Sequence, residues 1–440
     1  MPEKKQKAMN KYPDEGDMIL AGDAYYSMND FETQRNNNVL IVGVAGAGKT
    51  RGVVSPNLLQ ATGSYIVSDP KGNLRKKYGD YLAGKGYKVM SVDFVNPEKS
   101  SCYNPLRYIH GPRDILKIAH MLSYNQSTVR FGTHDAFWEQ AAVLFYSALI
   151  AYLLECRPYE EQTLENVTKL IVALNVDENN PNPKSPLDRI FDEVERRDRK
   201  SFALKQYNKF RVAAGRTLMS IQISCNVKLN AFDFPEMHRM MEGESIDFTA
   251  LGREKTAVFV SVSDTDRSMD DLANLFFTQA MNELVYYADT ACENNRLPVP
   301  VRFILDDFAT NVTIDNFPRM IASIRSRGIS AMLCVQDESQ LDAAYDRNGQ
   351  TIINNCDTYL YLGGNDERTV GHVSFRMDMP RKKVLDLPVG EGLLMRRGEA
   401  PRQVKIFDLD IFEQIILGTR RVAMPRGGAT MQMSEGQKGR

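Results

Sequence analysis

The stretch Gly43-Val44-Ala45-Gly46-Ala47-Gly48-Lys49-Thr50 fits the pattern G-x-x-x-x-G-K-T of a phosphate-binding loop. The preceding run, Val39-Leu40-Ile41-Val42, is apolar and rich in β-branched residues, as a buried strand of a parallel sheet would be. Such a loop presents backbone N–H groups at a helix N-terminus, and Gly43, Gly46 and Gly48 allow positive φ close to the phosphates. The pattern predicts a nucleotide site over Gly43–Arg51, with Lys49 on the β- and γ-phosphates and Thr50 on Mg²⁺.

Length and composition set broad limits. A chain of 440 residues indicates one large elaborated domain or two domains. The net charge of −1 gives no overall argument for nucleic acid or for membrane surfaces. The six cysteines are isolated, as expected for reduced thiols of a cytosolic protein, and the charged N-terminus lacks the apolar region of a signal peptide. The longest apolar run, residues 141–154, is shorter than the roughly 20 residues that span a bilayer. We therefore expect a buried core helix there and no transmembrane segment.

Strand and helix signals alternate over much of the chain, which is typical of a parallel α/β sheet. The predicted strands, besides residues 39–42, are 17–21, 64–69, 88–94, 256–262, 301–307, 330–335 and 358–362, and the predicted helices are 74–84, 270–288 and 316–327. Pro56 is expected to kink or end the helix after the phosphate-binding loop, because it lacks an N–H.

Between about residues 113 and 239 the strand signals vanish and helical periodicity takes over. This block is interpreted as an all-α domain inserted within a sheet domain, and long crossover helices are the alternative. The predicted division is a lead-in (1–37), a nucleotide-binding domain in two parts (38–112 and 240–424), the all-α insertion (113–239) and a disordered tail (425–440).

Other residues suit the chemistry of a phosphate-binding loop. Phe303-Ile304-Leu305-Asp306-Asp307 has the form of a central strand that ends in two carboxylates. We assign Asp306 to Mg²⁺ and Asp307 to the attacking water as general base. The alternative is that these carboxylates are only helix caps or solvated turn residues. Arg325 and Arg327 lie near a predicted helix end, where they suit either the helix dipole or a transition-state charge across a subunit boundary. Gln336, after the next strand, is placed to sense the γ-phosphate. Two short basic clusters, 381–383 and 396–397, are more typical of solvated surface, although a ring of subunits would sum them into a track for phosphates.

Nine segments carry a family resemblance: Gly43–Asn57, Ser68–Leu74, Asp135–Glu139, Leu305–Ala309, Ile324–Ser330, Gln336–Leu341, Asn355–Thr358, Leu362–Gly364 and Gly390–Leu393. Together they resemble the type IV coupling proteins of bacterial conjugation and type IV secretion, the TraG-like ATPases. The resemblance covers roughly residues 17–407, with motif order and spacing kept.

The resemblance implies a RecA-like P-loop NTPase fold, α/β with a mostly parallel sheet flanked by helices and an inserted all-α domain. It implies a ring of six at the inner face of the bacterial plasma membrane, in which ATP hydrolysis with Mg²⁺ drives the transfer of single- or double-stranded DNA. Such proteins receive a relaxase attached to single-stranded DNA and pass it to the secretion channel.

Carried over residue by residue, the resemblance gives roles to six side chains. Lys49 and Thr50 bind phosphate and Mg²⁺, and Asp306 is the metal-side carboxylate. Asp307 activates water. Arg325 is the arginine finger supplied to a neighbouring subunit, and Gln336 is the γ-phosphate sensor. Asp69 and Lys71 belong to a motif that flanks the nucleotide.

Two departures from the family pattern leave alternatives open. Family members usually carry Glu at the position of Asp307, and the shorter Asp is expected to hold the water less well. Most members begin with transmembrane helices, and none precedes Gly43 here, so we expect an anchor that was removed or lost, or a membrane-bound partner. The alternatives are a DNA translocase of the FtsK/HerA kind, whose rings lack a helical insertion of this size, and a weakly hydrolysing docking platform for secretion substrates.

Overall fold

The computed structural model describes residues 13–123, 136–175, 184–213 and 216–417. The predicted disordered tail and Asp135 of the Asp135–Glu139 motif lie outside these residues, as does most of the polar, proline-rich stretch 177–186 within the helical block.

A mixed nine-stranded sheet forms the centre of the described chain. Its strands are β3 (Val39–Val42), β4 (Ser64–Ser68), β5 (Lys88–Asp93), β6 (Thr256–Ser261), β7 (Val301–Leu305), β8 (Ile329–Val335), β9 (Thr358–Tyr361), β10 (Glu391–Arg396) and β11 (Arg402–Lys405). They lie in the order β11-β10-β9-β3-β8-β7-β4-β6-β5. All pairings from β9 to β5 are parallel, and β10 and β11 add an antiparallel edge. The strand before the phosphate-binding loop is therefore central, with β8 on one side and β9 on the other.

Helices cover both faces of the sheet. Their bounds are α1 (Asp30–Thr33), α2 (Ser55–Leu59), α3 (Asn73–Gly84), α4 (Pro112–Ser123), α5 (Ala136–Cys156), α6 (Leu164–Val172), α7 (Pro186–Arg197), α8 (Phe202–Phe210), α9 (Arg216–Leu229), α10 (Pro235–Met241), α11 (Asp270–Ala291), α12 (Phe317–Met320), α13 (Ser339–Tyr345), α14 (Gly349–Asn354), α15 (Glu367–Met377), α16 (Arg381–Leu385) and α17 (Leu409–Ile416).

Alternate residues of the central strands supply two separate cores, because successive side chains of a strand point to opposite faces. Leu40 and Val42 of β3 join a core that continues into the helices between β5 and β6. Val39 and Ile41 join a second core with α2, α3, α17 and a small antiparallel hairpin. That hairpin, β1 (Met18–Ala21) with β2 (Ala24–Tyr26), belongs to the predicted lead-in, which is therefore packed against the sheet.

The structure confirms the strands predicted from the sequence and corrects other details. β2, β10 and β11 were not predicted: β2 and β11 are short strands of three and four residues that leave part of their length unburied, whereas β10 is a buried strand of six residues between β9 and β11. The helix predicted over residues 316–327 is wrong: α12 has four residues, and a separate 3₁₀ turn covers Ile324–Arg327. The helix at Pro56 continues to Leu59 after a π-helical stretch, Thr50–Val54, in which the Ser55 N–H bonds to the Thr50 carbonyl.

Helix α5 is the centre of the helical block. The Phe145 ring stacks on Phe210 of α8, with centroids 4.2 Å apart. The helix extends past the apolar run of residues 141–154 at both ends, so it is longer than that run alone indicates. In the described part of the chain it is the one helix, Phe137–Cys156, long and apolar enough to cross a bilayer, and 56% of its most apolar window is buried inside the protein.

Candidate nucleotide-binding site

The phosphate-binding loop lies at the carboxyl end of β3, between that strand and a helix that starts at Lys49. Gly46 and Gly48 have φ of 80° and 91°, a conformation that favours glycine. Gly43 does not have positive φ, so that part of the prediction is wrong. Its hydrogen is needed for space instead, since a Cβ there would lie 3.0 Å from the Cβ atoms of Ala47 and Leu362. A Cβ at Gly46 would meet nothing within 4 Å, so the loop backbone is open on that side.

Lys49 is buried at the base of the loop. Its ammonium donates to the Gly43 carbonyl at 2.6 Å and to the Val44 carbonyl at 3.3 Å. The cation is therefore held against the loop that is predicted to receive phosphates.

The Thr50 hydroxyl donates to Oδ2 of Asp306 at 2.6 Å. Asp306 follows β7, and its backbone carbonyl also accepts from the Ser68 hydroxyl of β4 at 3.2 Å. The ends of β3, β4 and β7 thus meet at one edge of the sheet. A hydroxyl and a carboxylate at this distance are the two oxygen ligands that the pattern predicts for Mg²⁺.

Asp307 occupies a turn in which a non-glycine residue takes positive φ, 53°, and its carbonyl accepts from the backbone of Thr310 and Asn311. Burial raises the pKa of the Asp307 carboxyl, the charge of Asp306 raises the pKa further, and Lys49 and Lys71 lower it. Aspartate tolerates this backbone region better than most residues, but the conformation is still uncommon. The turn holds a partly buried carboxylate beside Asp306 and in the field of Lys49.

Gln336 lies directly after β8, next to the start of the loop. The carbonyl of the preceding Val335 accepts from the Gly43 N–H at 3.1 Å, and the Gln336 N–H donates to the side chain of Gln340. On the other side, the Val44 N–H donates to the Gly363 carbonyl at 3.1 Å. The loop is therefore braced by the residues that follow both neighbouring strands, and Gly363 is a contact that sequence reasoning did not assign.

Arg325 is not near the loop of its own chain. It lies in the 3₁₀ turn before β8, at the amino end of that strand, whereas the phosphate-binding loop is at the carboxyl end of the neighbouring β3. Its Nη2 donates to the Asp30 carbonyl at 2.8 Å, and its Nε lies 3.4 Å from Oδ2 of the same residue. The alternative role for Arg325 was to interact with the dipole of a helix. The structure does not support it, because residues 324–327 form a four-residue 3₁₀ turn and not the end of the predicted helix.

Asp69 and Lys71 have different surroundings. Asp69 is buried and accepts from the Arg75 N–H at 2.8 Å in the first turn of α3. Burial raises the pKa of Asp69, against the hydrogen bonds from the Arg75, Leu74 and Asn73 N–H groups, which lower it. This carboxylate caps a helix. Lys71 is exposed and lies 4.0 Å from Asp264, and its charge acts on Asp307.

The segment after β11 packs on the helix of the loop. The Ile406 side chain fills the space beside Gly48 and Gly52, where added Cβ atoms would lie 3.2 and 2.5 Å from it. Arg51, which the sequence placed with the nucleotide, forms an exposed ion pair with Asp410 of α17. No local motif marks this contact, since it joins residues more than 350 positions apart.

The fold and this edge of the sheet define a P-loop nucleotide-binding protein with a RecA-like α/β core. The chain belongs to the family described as type IV secretory system conjugative DNA transfer, whose model matches residues 3–377.

Curated relatives and solved structures agree with this assignment. Protein VirD4 of Rhizobium rhizogenes and protein VirD4 of Agrobacterium fabrum are each 24% identical over 385 residues, covering 84% of this chain and 52% of the relative. The chain thus spans about half the length of these relatives. The unbound bacterial conjugative coupling protein TrwBdeltaN70 superposes with a TM-score of 0.65, 14% identity and coverage of 91% of this chain and 90% of that chain. Plasmid coupling protein TrwB in complex with ADP and Mg²⁺ superposes with a TM-score of 0.63 and 14% identity, and the match covers 90% of this chain and 90% of that chain. At these identities the structural likeness shows the fold.

Proposed function

We propose that this chain is the ATP-hydrolysing motor of a type IV coupling protein. It works as a ring of six at the inner face of the bacterial plasma membrane, where it recruits a relaxase bound to single-stranded DNA and drives it toward the secretion channel. The observation that carries the proposal is the meeting of Lys49, Thr50, Asp306 and Asp307 at one edge of the sheet. The family membership and the TrwB complexes with ADP and Mg²⁺ and with an ATP analogue support it.

The donor set fits Mg²⁺ and a nucleotide. Among the described residues, no group of three or more His, Cys, Asp or Glu side chains is arranged to hold a metal ion. The Thr50 hydroxyl and the Asp306 carboxylate offer two oxygens to Mg²⁺. Mg²⁺ needs few protein ligands, because it typically completes its shell with phosphate oxygens and water. When bound, the ion neutralises charge that develops on the phosphates. The backbone of Gly43–Arg51 binds the phosphate chain.

The remaining roles follow from position. Lys49 stabilises negative charge beside the loop, and Asp307 accepts the proton of the attacking water. Gln336, directly after β8, would sense the γ-phosphate. Arg325, which lies at the opposite edge of the sheet from its own loop, serves the adjacent subunit. We also propose that residues 113–239 act as an all-α domain that contacts the transferred substrate, with 38–112 and 240–424 forming the nucleotide-binding domain.

The second candidate is a weakly hydrolysing docking platform for secretion substrates. Its support is Asp307, which is shorter than the usual Glu and lies in an uncommon backbone conformation. The translocase alternative is not favoured, because the matching family model describes conjugative DNA transfer.

ATP hydrolysis with and without single-stranded DNA tests the proposal. The wild-type chain is expected to hydrolyse ATP faster with DNA, and Lys49→Ala and Asp307→Ala are expected to lose this activity. Asp315→Ala is the matched control, since it removes an exposed carboxylate from the same segment after β7. If the wild type hydrolyses ATP no faster than Asp307→Ala, with or without DNA, the proposed motor function is wrong and the docking platform is the better proposal.

A further inference from the structure

Asp30, in the short helix α1, holds two arginines that are far away in the sequence. The carboxylate is 7% exposed, and Nη2 of Arg296 lies 2.7 Å from its Oδ1. Nε of Arg325 lies 3.4 Å from its Oδ2, and Nη2 of Arg325 donates to the Asp30 carbonyl at 2.8 Å. Charge-assisted contacts of this kind restrict both guanidiniums, because neither can turn away without leaving a buried carboxylate short of partners.

Arg296 also forms hydrogen bonds with the backbone of the turn that contains Arg325. Its Nη1 donates to the Arg325 carbonyl at 3.1 Å and to the Ser326 carbonyl at 3.4 Å. One side chain therefore fixes the 3₁₀ turn and the carboxylate that faces it. Asp30 and the two guanidiniums sum to one positive charge, and the carboxylate of Glu293 lines the same groove.

The site opens to solvent at the sheet edge opposite the phosphate-binding loop. The residues that line a groove of about 860 Å³ include Asp30, Glu293, Arg296 and Arg325. The Arg325 side chain is 37% exposed, and no hydrogen bond among the described residues uses its Nη1. The guanidinium is thus held on one side and accessible on the other.

We propose that Asp30 and Arg296 are positioning residues that seat Arg325 for the active site of the adjacent subunit. The inference rests on the proposed function, because the seat matters only where Arg325 acts across a subunit boundary. An arginine supplied in this way is typically worth about 10³–10⁵ in rate, and an error of about 1 Å in placement costs on the order of 100-fold. Arg325 is a long, flexible side chain in a short turn, so its position depends on contacts from other parts of the fold. Asp30, in the segment 13–37, provides such contacts.

A second ion pair on the same turn supplies a control. Arg327, two residues after Arg325, makes a bidentate pair with Asp289 at 2.7 and 2.8 Å. Asp289→Asn breaks a carboxylate–arginine pair at the same edge of the sheet but leaves the contacts of Asp30 and Arg296 in place. It is expected to hydrolyse ATP like the wild type.

The test is subunit complementation with ATP, Mg²⁺ and single-stranded DNA. Asp30→Asn and Arg296→Ala are expected to lower kcat roughly 10- to 100-fold while nucleotide affinity stays unchanged, because the loop of each chain is intact. Each variant is mixed with Lys49→Ala before nucleotide and DNA are added. Lys49→Ala carries a seated Arg325, so about a quarter of the interfaces in a random ring join an intact loop to an intact finger, and about a quarter of the wild-type rate returns. Asp30→Asn or Arg296→Ala mixed with Arg325→Ala gains no activity, because neither member of the mixture carries a seated Arg325.

The outcomes distinguish the positioning role of Asp30 and Arg296 from the proposed action of Arg325 in the adjacent subunit. If Arg325→Ala mixed with Lys49→Ala regains activity but Asp30→Asn mixed with Lys49→Ala does not, the seat is overturned and the proposed function stands. If a mixture of Arg325→Ala and Lys49→Ala regains no activity, Arg325 does not act across the subunit boundary. The proposed positioning role of Asp30 and Arg296 is then overturned as well. Recovery when Lys49→Ala is mixed with Asp30→Asn or with Arg325→Ala, and no recovery when Asp30→Asn is mixed with Arg325→Ala, supports the seat, since a defect in folding would not be repaired by a partner.

Discussion

Thr50 and Asp306 are 256 positions apart in the sequence, and the Thr50 hydroxyl donates to the Asp306 carboxylate at 2.6 Å. The contact links the first turn after the phosphate-binding loop to the residue after β7, across the intervening strand β8. A metal ion that binds both oxygens would take the place of this hydrogen bond, so the two residues are expected to act as one unit.

Substitution of Thr50 tests that unit. Thr50→Val keeps the shape of the side chain but removes the hydroxyl, and we expect Mg²⁺ affinity in the presence of ATP to fall roughly 10- to 100-fold or more. Thr50→Ser keeps the hydroxyl and is the matched control. Titration of ATPase activity with Mg²⁺ measures the effect, and chelation of Mg²⁺ is expected to abolish hydrolysis. Equal Mg²⁺ affinity in the Val and Ser variants would contradict the assignment.

The charges around Asp307 predict a pH dependence of hydrolysis. A general base works in its deprotonated form, and the raised pKa of Asp307 means that activity falls, as pH decreases, at a higher pH than for an ordinary aspartate. Lys71 lowers this pKa, so Lys71→Ala is expected to raise the pKa and move the acidic limb of the kcat profile to higher pH. The shift is expected to be small, because Lys71 is exposed and its charge is screened by salt. Lys85→Ala, an exposed lysine at the end of α3, is the control, and a shift toward lower pH in Lys71→Ala would contradict the argument.

The contact between Gly52 and Ile406 predicts an unusual glycine effect. Replacing a helical glycine by alanine normally favours the helix by about 1 kcal/mol. Here the new Cβ would lie 2.5 Å from Cγ2 of Ile406, so Gly52→Ala is expected to lower the free energy of unfolding by about 1–3 kcal/mol. Urea denaturation measures it.

Two further variants make the test specific. Gly52→Ala combined with Ile406→Ala is expected to be less destabilised than the sum of the single changes. Gly84→Ala, where a Cβ meets nothing within 4 Å, is the control and is expected to be neutral or stabilising. Additive effects in the double variant would show that Ile406 is not the obstacle.

Arg302 of β7 is a buried guanidinium whose polar contacts are the Ser330 hydroxyl at 3.3 Å, the Asn37 carbonyl at 3.4 Å and the sulfurs of Met18 and Met28. Burial lowers the pKa of Arg302 to about 10, so the fold disfavours the charged form. Arg302→Met removes the charge and keeps most of the volume. We expect a free energy of unfolding between unchanged and about 2 kcal/mol higher, by urea denaturation. Arg327→Met, in an exposed pair, is the control, and a loss above about 2 kcal/mol in Arg302→Met would show that its hydrogen bonds outweigh the cost of burial.

Much of the site was accessible from local patterns. The glycines, Lys49 and Thr50 follow a fixed spacing, and Asp306 and Asp307 follow an apolar strand, so their chemistry is encoded over a few residues. The local backbone was less predictable: Gly43 is needed for space and not for φ, and the turn at Asp307 takes positive φ. Both depend on what packs nearby, which spacing does not reveal.

The sequence by itself determined the strand-loop-helix unit, the parallel sheet and the family, because periodicity and motif spacing are local properties of the chain. Only the tertiary structure decided which distant residues meet. The insertion of β3 between β8 and β9 brings Gln336 and Gly363 to the loop, and the packing of the segment after β11 brings Ile406 to Gly52. The same folding brings Asp30 to Arg325, 295 positions away, and thereby changes a lone arginine in a short turn into a fixed charge at the edge of the subunit.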